Sequence, residues 1–156
     1  MQGTRLMSAE NDLITLYSKR ILALAADMPF TDRLDDPDGT ARVRSPLCES
    51  TVTVDLGVDG ETINRFGQDV KACALGQASA SAVAKNIIGR DRQQIQTARD
   101  EMSAMLKAGG PPPAEPFAEL EALKPARDYK NRHASIMLTL DAILAAFRDA
   151  DSRKEA

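Results

Sequence analysis

Three side chains in this sequence have the chemistry to hold a metal ion or to carry sulfur: Cys48, Cys73 and His133, the last being the chain's one histidine. Thiolate sulfur and neutral imidazole nitrogen are good ligands for zinc and iron, and three protein ligands with an open fourth position is a known arrangement. Cys73 also has a local reason to be reactive. It stands where an extended segment meets a helix of small residues. The first turn of such a helix has unpaired N–H groups and the positive end of the dipole, which suit a nucleophilic or metal-binding sulfur. The plainer reading of Cys73 is a buried structural cysteine. Likewise, a lone histidine on an apolar helix face is commonly a satisfied core residue. The sequence has no CxxC and no HxxxH, so spacing does not decide between these readings.

The elements that must position these residues are legible as patterns. The central stretch is Thr62 to Gly89, in which Phe66, Gln68, Val70 and Ala72 share one parity of an extended segment. After Cys73 come Ala74, Gly76, Ala78, Ser79, Ala80, Ser81, Ala82 and Ala84, with Gly89 expected as the C-cap. A helix that thin can lie very close to its neighbour. Before it, Ser50 to Val58 reads as a strand with Val52, Val54, Leu56 and Val58 buried and Thr51, Thr53, Asp55 and Gly57 wet. Asp59-Gly60 is a two-residue hairpin turn. Cys48 thus lies just before one hairpin strand and Cys73 just after the other, and an antiparallel hairpin brings those ends together.

The flanking segments predict helices. From Asn11, the positions Leu13, Leu16, Tyr17, Ile21, Leu24 and Ala25 make a helical stripe that Pro29 stops. Asp32 to Gly39 is an acidic, exposed loop, and Ala41 to Ser45 a short edge strand interrupted by Pro46. Asp91 caps a helix with Ile95, Ala98, Met102, Met105 and Leu106 inward. GGPPPAEP is a semi-rigid connector, and Phe117, Leu120 and Leu123 predict a short helix ending before Pro125. The last helix carries Tyr129, His133, Ile136, Leu140, Ile143 and Phe147 on one stripe, and the charged tail DADSRKEA is expected to fray.

Composition narrows the function. The 156 residues are 43% hydrophobic but only 4% aromatic, with no Trp, which leans towards helices with a small sheet in one domain, residues 1–156, whose core spans about residues 10–148. A net charge of −3 with scattered charges gives no nucleic-acid footprint. No apolar run reaches the roughly 18 residues of a membrane span, and no signal pattern opens the chain, so the cytoplasm is expected. Two cysteines in a reducing compartment point to metal or redox chemistry rather than to a disulfide framework. A Cys/His catalytic pair lacks a nameable oxyanion cluster or orienting group. Gly67, Gly76 and Gly89 are too spread out for a phosphate loop, and Asp35, Asp36 and Asp38 lack the rest of a calcium loop.

The order of LYSKRI, SPLCES, a hairpin, FGQDVKACALGQASASAVA and a late helix resembles the SufU/IscU/NifU N-terminal family of iron–sulfur cluster assembly scaffolds. The similarity covers about residues 10–148, and the GGPPP connector resembles the SufU branch. The resemblance implies an α+β fold, a small antiparallel sheet of about three strands covered by helices. It also implies a site at one end, where three cysteines and an Asp hold zinc or a nascent cluster. Cys48 matches the first family cysteine and Cys73 the second, while the family Asp corresponds to Ser50. The third cysteine falls on His133 if HASIML is matched to Cys-Ala-Thr-Leu, or on Ser135 if SIML is matched to Cys-Ser-Met-Leu. The inward stripe selects His133, since Ser135 lies about 200° around the helix from it. The implied metal ligands are therefore Cys48, Cys73 and His133, with Ser50 or Glu49 as candidates for a fourth. Histidine in place of cysteine generally raises a cluster's potential. The implied cofactors are a transient iron–sulfur cluster, iron or zinc, and the implied partners are a cysteine desulfurase and acceptor proteins, for a scaffold rather than an enzyme. Two further readings follow from the altered ligands: a zinc-binding acceptor of sulfur, and a docking or regulatory module that has lost the site.

Overall fold

The computed structural model describes residues 17–46 and 49–155. Three strands, β1 (Gly39–Arg44), β2 (Thr51–Asp59) and β3 (Thr62–Lys71), form an antiparallel sheet in the order β1-β2-β3. The described helices are α1 (Lys19–Ala26), α2 (Ala74–Ala84), α3 (Arg92–Ala108) and α4 (Lys130–Glu155), with a 3₁₀ segment at Ala118–Asp128. This is the expected α+β arrangement. Helix α4 lies against β1, β2, α2 and α3, and α2 is held between α1 and α4.

Small residues are what let α2 fill that slot. Leu75 and every residue from Ala78 to Ala84 are buried. Two of its serines tie it to both neighbours, Ser79 Oγ donating to the Ile136 carbonyl at 2.7 Å and Ser81 Oγ to that of Asp27 at 3.2 Å. The helix ends at Ala84 rather than at Gly89. Gly89 (φ 87°) serves instead a turn that delivers its N–H to the Ile63 carbonyl at 2.8 Å.

The hairpin forms as expected, with its turn one residue later: Asp59 pairs with Thr62, leaving Gly60 (φ 64°) and Glu61 as the loop. The wet face of β2 is corrected. Val52, Val54 and Leu56 are buried, but so are Thr51, Gly57 and Asp55, the last fully. The loop expected to be solvated folds back over it. Arg33 donates to both Asp55 oxygens at 2.6 and 3.0 Å, the Leu34 N–H donates at 3.1 Å and Thr40 Oγ1 at 2.7 Å. Burial pushes the Asp55 carboxyl up, and the bonds from Arg33, Thr40 and Leu34 outweigh it, holding the group below the usual carboxylate range.

Local caps set the other boundaries. Extended Ser18 (ψ 163°) starts α1 by accepting the Ile21 N–H, so the stripe read from Asn11 is broken at that residue; Asn11, Leu13 and Leu16 lie outside the described residues. Asp91 and Gln94 form a capping box on α3, which buries Ile95, Ala98, Met102, Met105 and Leu106 as read. The segment with Phe117, Leu120 and Leu123 is a 3₁₀ helix that continues through Pro125. Within the tail, the helix continues through Glu155. Asp149 accepts the Thr40 N–H at 2.9 Å, and Asp151 accepts two bonds from Arg92 at 2.7 and 2.8 Å, which hold its carboxyl below the ordinary range. Gly39 permits this docking, because a Cβ there would collide with the Ala146 carbonyl.

Candidate functional site

The register of the hairpin places Thr51 opposite Lys71, so Ser50 and Cys73 leave the sheet at the same end. Ser45 N–H donates to the Ser50 carbonyl at 2.9 Å and draws the ends of the intervening loop together. Cys48 lies between Ser45 and Ser50 in sequence and outside the described residues. Cys73 is the N-cap residue of α2, with extended backbone (φ −66°, ψ 170°) and a half-buried thiol that forms no disulfide among the described residues.

Helix α4 supplies the third wall. Ser135, 1% exposed, places its Oγ 3.6 Å from Cys73 Sγ and 3.2 Å from Ser50 Oγ. The hydroxyls and the thiol therefore form one chain, Ser50–Ser135–Cys73, at the end of the sheet. Gly76 makes the approach feasible: a Cβ at that position would lie 2.5 Å from Ser135 Oγ. The donor geometry has a quantitative meaning. Two thiolates on one tetrahedral zinc, each about 2.3 Å from the metal, sit about 3.8 Å apart. Ser135 Oγ thus occupies the kind of place relative to Cys73 that a second ligand sulfur would take.

His133 is elsewhere. It is 7% exposed, and its Nε2 lies 2.9 Å from the Ala126 carbonyl and 3.1 Å from that of Arg127. Both partners are acceptors, so Nε2 carries the proton, and Nδ1 is the nitrogen left for another partner. The imidazole thereby closes the last turn of the 3₁₀ segment. The α4 side chain in contact with Cys73 is Ser135, while His133, the residue the inward stripe selects, bonds the 3₁₀ segment. The reason is physical. Every α4 residue from Ser135 to Leu144 except Asp141 is buried, Met137, Leu138 and Thr139 included, so an inward stripe has no wet face opposite it there. Two residues of the same helix then face two different neighbours. Glu49, the other candidate ligand, is exposed, and among the described residues no group of three Cys, His, Asp or Glu side chains is placed to hold a metal ion.

Comparison with known proteins follows the same geometry. No protein-family model matches the chain. Among curated proteins it is 28% identical over 90 residues to the iron–sulfur cluster assembly scaffold protein IscU of Thermotoga maritima, a match covering 58% of this chain and 63% of that protein. Among solved structures, the N-terminal part of a nitrogen-fixing NifU-like protein from Brucella abortus superposes with a TM-score of 0.88 at 44% identity, covering 91% of this chain and 99% of that one. SufU from Fervidobacterium islandicum AW-1, described as a scaffold for iron–sulfur cluster assembly in the SUF system, superposes with a TM-score of 0.76 over 85% and 97% of the two chains. Its 19% identity supports the shared fold alone.

Proposed function

The chain belongs to the IscU/SufU/NifU N-terminal family, and from that premise we propose that it acts in iron–sulfur cluster assembly as a scaffold. Its cargo is sulfur with iron, a nascent cluster or zinc, held by Cys73 and Cys48 at the end of the sheet. The observation that carries this reading is the placement of the Cys73 thiol at the start of α2, 3.6 Å from Ser135 Oγ. The Cys73 thiol is a ligand of the kind zinc and iron take, and the Ser135 hydroxyl marks the space beside it. Cys48 precedes Ser50 by two residues in sequence, and Ser50 is already part of the corner. In this reading the chain works in the cytoplasm, where thiols stay reduced, receives sulfur from a cysteine desulfurase and passes its cargo to acceptor proteins. Anaerobic reconstitution with iron and sulfide should give visible absorbance and bound sulfide that Cys73→Ser and Cys48→Ser both abolish. Protein that takes up neither would end the scaffold reading.

One observation favours a second reading. Ser50, where the resemblance has a carboxylate, and Ser135, one of its two candidates for the third cysteine, are neutral hydroxyls bonded to each other. Such a pair leaves fewer strong ligands for iron and can donate a hydrogen bond to a sulfur carried on Cys73. The protein would then accept persulfide without building a cluster. Incubation with desulfurase and cysteine should add about 32 Da, one sulfur atom, to Cys73 or Cys48 in a mass spectrum. An unchanged mass would eliminate this reading.

A further inference from the structure

Away from the cysteine end, α3, the 3₁₀ segment and the first turns of α4 enclose an open cavity of about 540 Å³. Its wall carries Arg99, Lys107, Arg127 and Lys130 against a single carboxylate, Asp141, in a chain whose net charge is −3. Arg99 Nε engages that carboxylate at 2.8 Å. Arg127 lies 3.8 Å from Asp128, beyond hydrogen-bond range, and Lys107 and Lys130 have no ion pair among the described residues. Two lysines without an ion pair among the described residues and an arginine with only a long one therefore surround one cavity. Leu106 and Met137, both buried, give the cavity an apolar floor. His133 completes the lining, with Nε2 bonded to the Ala126 and Arg127 carbonyls.

We propose that this cavity binds a phosphorylated small organic molecule of at most nucleotide size. The volume falls in the range of small-ligand sites, roughly 300–1,000 Å³. A phosphoryl group concentrates about two negative charges on one centre, which matches converging cations better than a single carboxylate does. Arg127 offers a planar fork of donors to such a group, while Lys107 and Lys130 contribute compact charges. The organic body rests on Leu106 and Met137, beside the His133 ring. None of this depends on the cysteine site.

The sole histidine makes the test direct, because its ring signals need no assignment. Full-length protein is titrated at fixed ionic strength with ADP, inorganic pyrophosphate or citrate. Binding is read by the NMR shifts of the His133 ring and by calorimetry. The expected result is one saturable site, with ADP tighter than pyrophosphate and citrate weakest. The exposed pair K107E/K130E should weaken ADP about tenfold without changing the circular dichroism or the melting temperature. The proposal is overturned if His133 shows no saturable shift, if citrate or pyrophosphate binds as tightly as ADP, or if the charge-reversed protein binds ADP unchanged.

Discussion

Replacing Gly76 with alanine tests the packing that brings α4 to Cys73. The new Cβ would lie 2.5 Å from Ser135 Oγ, 2.8 Å from Ala72 Cβ and 3.2 Å from the Ser135 carbonyl. Comfortable carbon contacts are about 3.5–4.0 Å, so α2 must draw back from α4 by several tenths of an ångström or Ser135 must leave its rotamer. Turning Ser135 away would break its contacts with both Cys73 and Ser50. Overpacking of this kind costs about 1–3 kcal/mol, and alanine recovers up to about 1 kcal/mol over glycine in a helix. The net expectation is a loss of about 1–2 kcal/mol. Ser135→Ala removes the nearest of the three clashes, so Gly76→Ala should cost about 1 kcal/mol less in that background. Urea unfolding of the parent, the two single variants and the double variant measures this coupling. If Gly76→Ala stabilises the protein, or if the coupling stays within the roughly 0.3–0.5 kcal/mol of independent sites, the close approach of α2 and Ser135 is not what holds this corner together.

Two further outcomes concern the frame around the site. Asp55→Asn should destabilise the protein by about 2–3 kcal/mol at neutral pH, since charge-assisted bonds from Arg33, Thr40 and Leu34 are weakened in a fully buried setting. Because the folded pKa of Asp55 lies below its unfolded value, its contribution is present above the unfolded pKa and is lost as pH falls through the folded one. Acid unfolding of the Asn variant should therefore lack that part of the pH dependence, and identical acid profiles would contradict the assignment. Ser79→Ala should cost about 1 kcal/mol in thermal or urea unfolding through the bond lost to the Ile136 carbonyl, and no measurable change would show that bond to be dispensable.

What the sequence made legible was local. Val52 and Val54 of β2, the Asp91 cap and the small-residue run after Cys73 each depend on neighbours within a few positions, and each appears where the pattern put it. What stayed hidden depends on residues far apart in the chain. Asp55 reads as a wet strand position because Arg33, 22 residues away, is what buries it. The four cations around the His133 cavity read as scattered charge because three elements contribute them. Ser135 and His133 were both visible as candidates, but a helix buried on nearly every side gives periodicity no means of choosing between them. Only the docking of α2 against α4 shows which of the two meets Cys73.

The most direct test of that placement is zinc affinity, measured without oxygen by competition with a chelator, for the parent and for Cys73→Ser, Ser135→Cys and His133→Gln. Cys73→Ser should lose at least about tenfold in affinity and Ser135→Cys, which adds a thiolate to the same corner, should gain about as much. His133→Gln should stay within about twofold of the parent. Affinity that falls as far in His133→Gln as in Cys73→Ser, with no gain in Ser135→Cys, would put the metal on the other face of α4 and contradict the account.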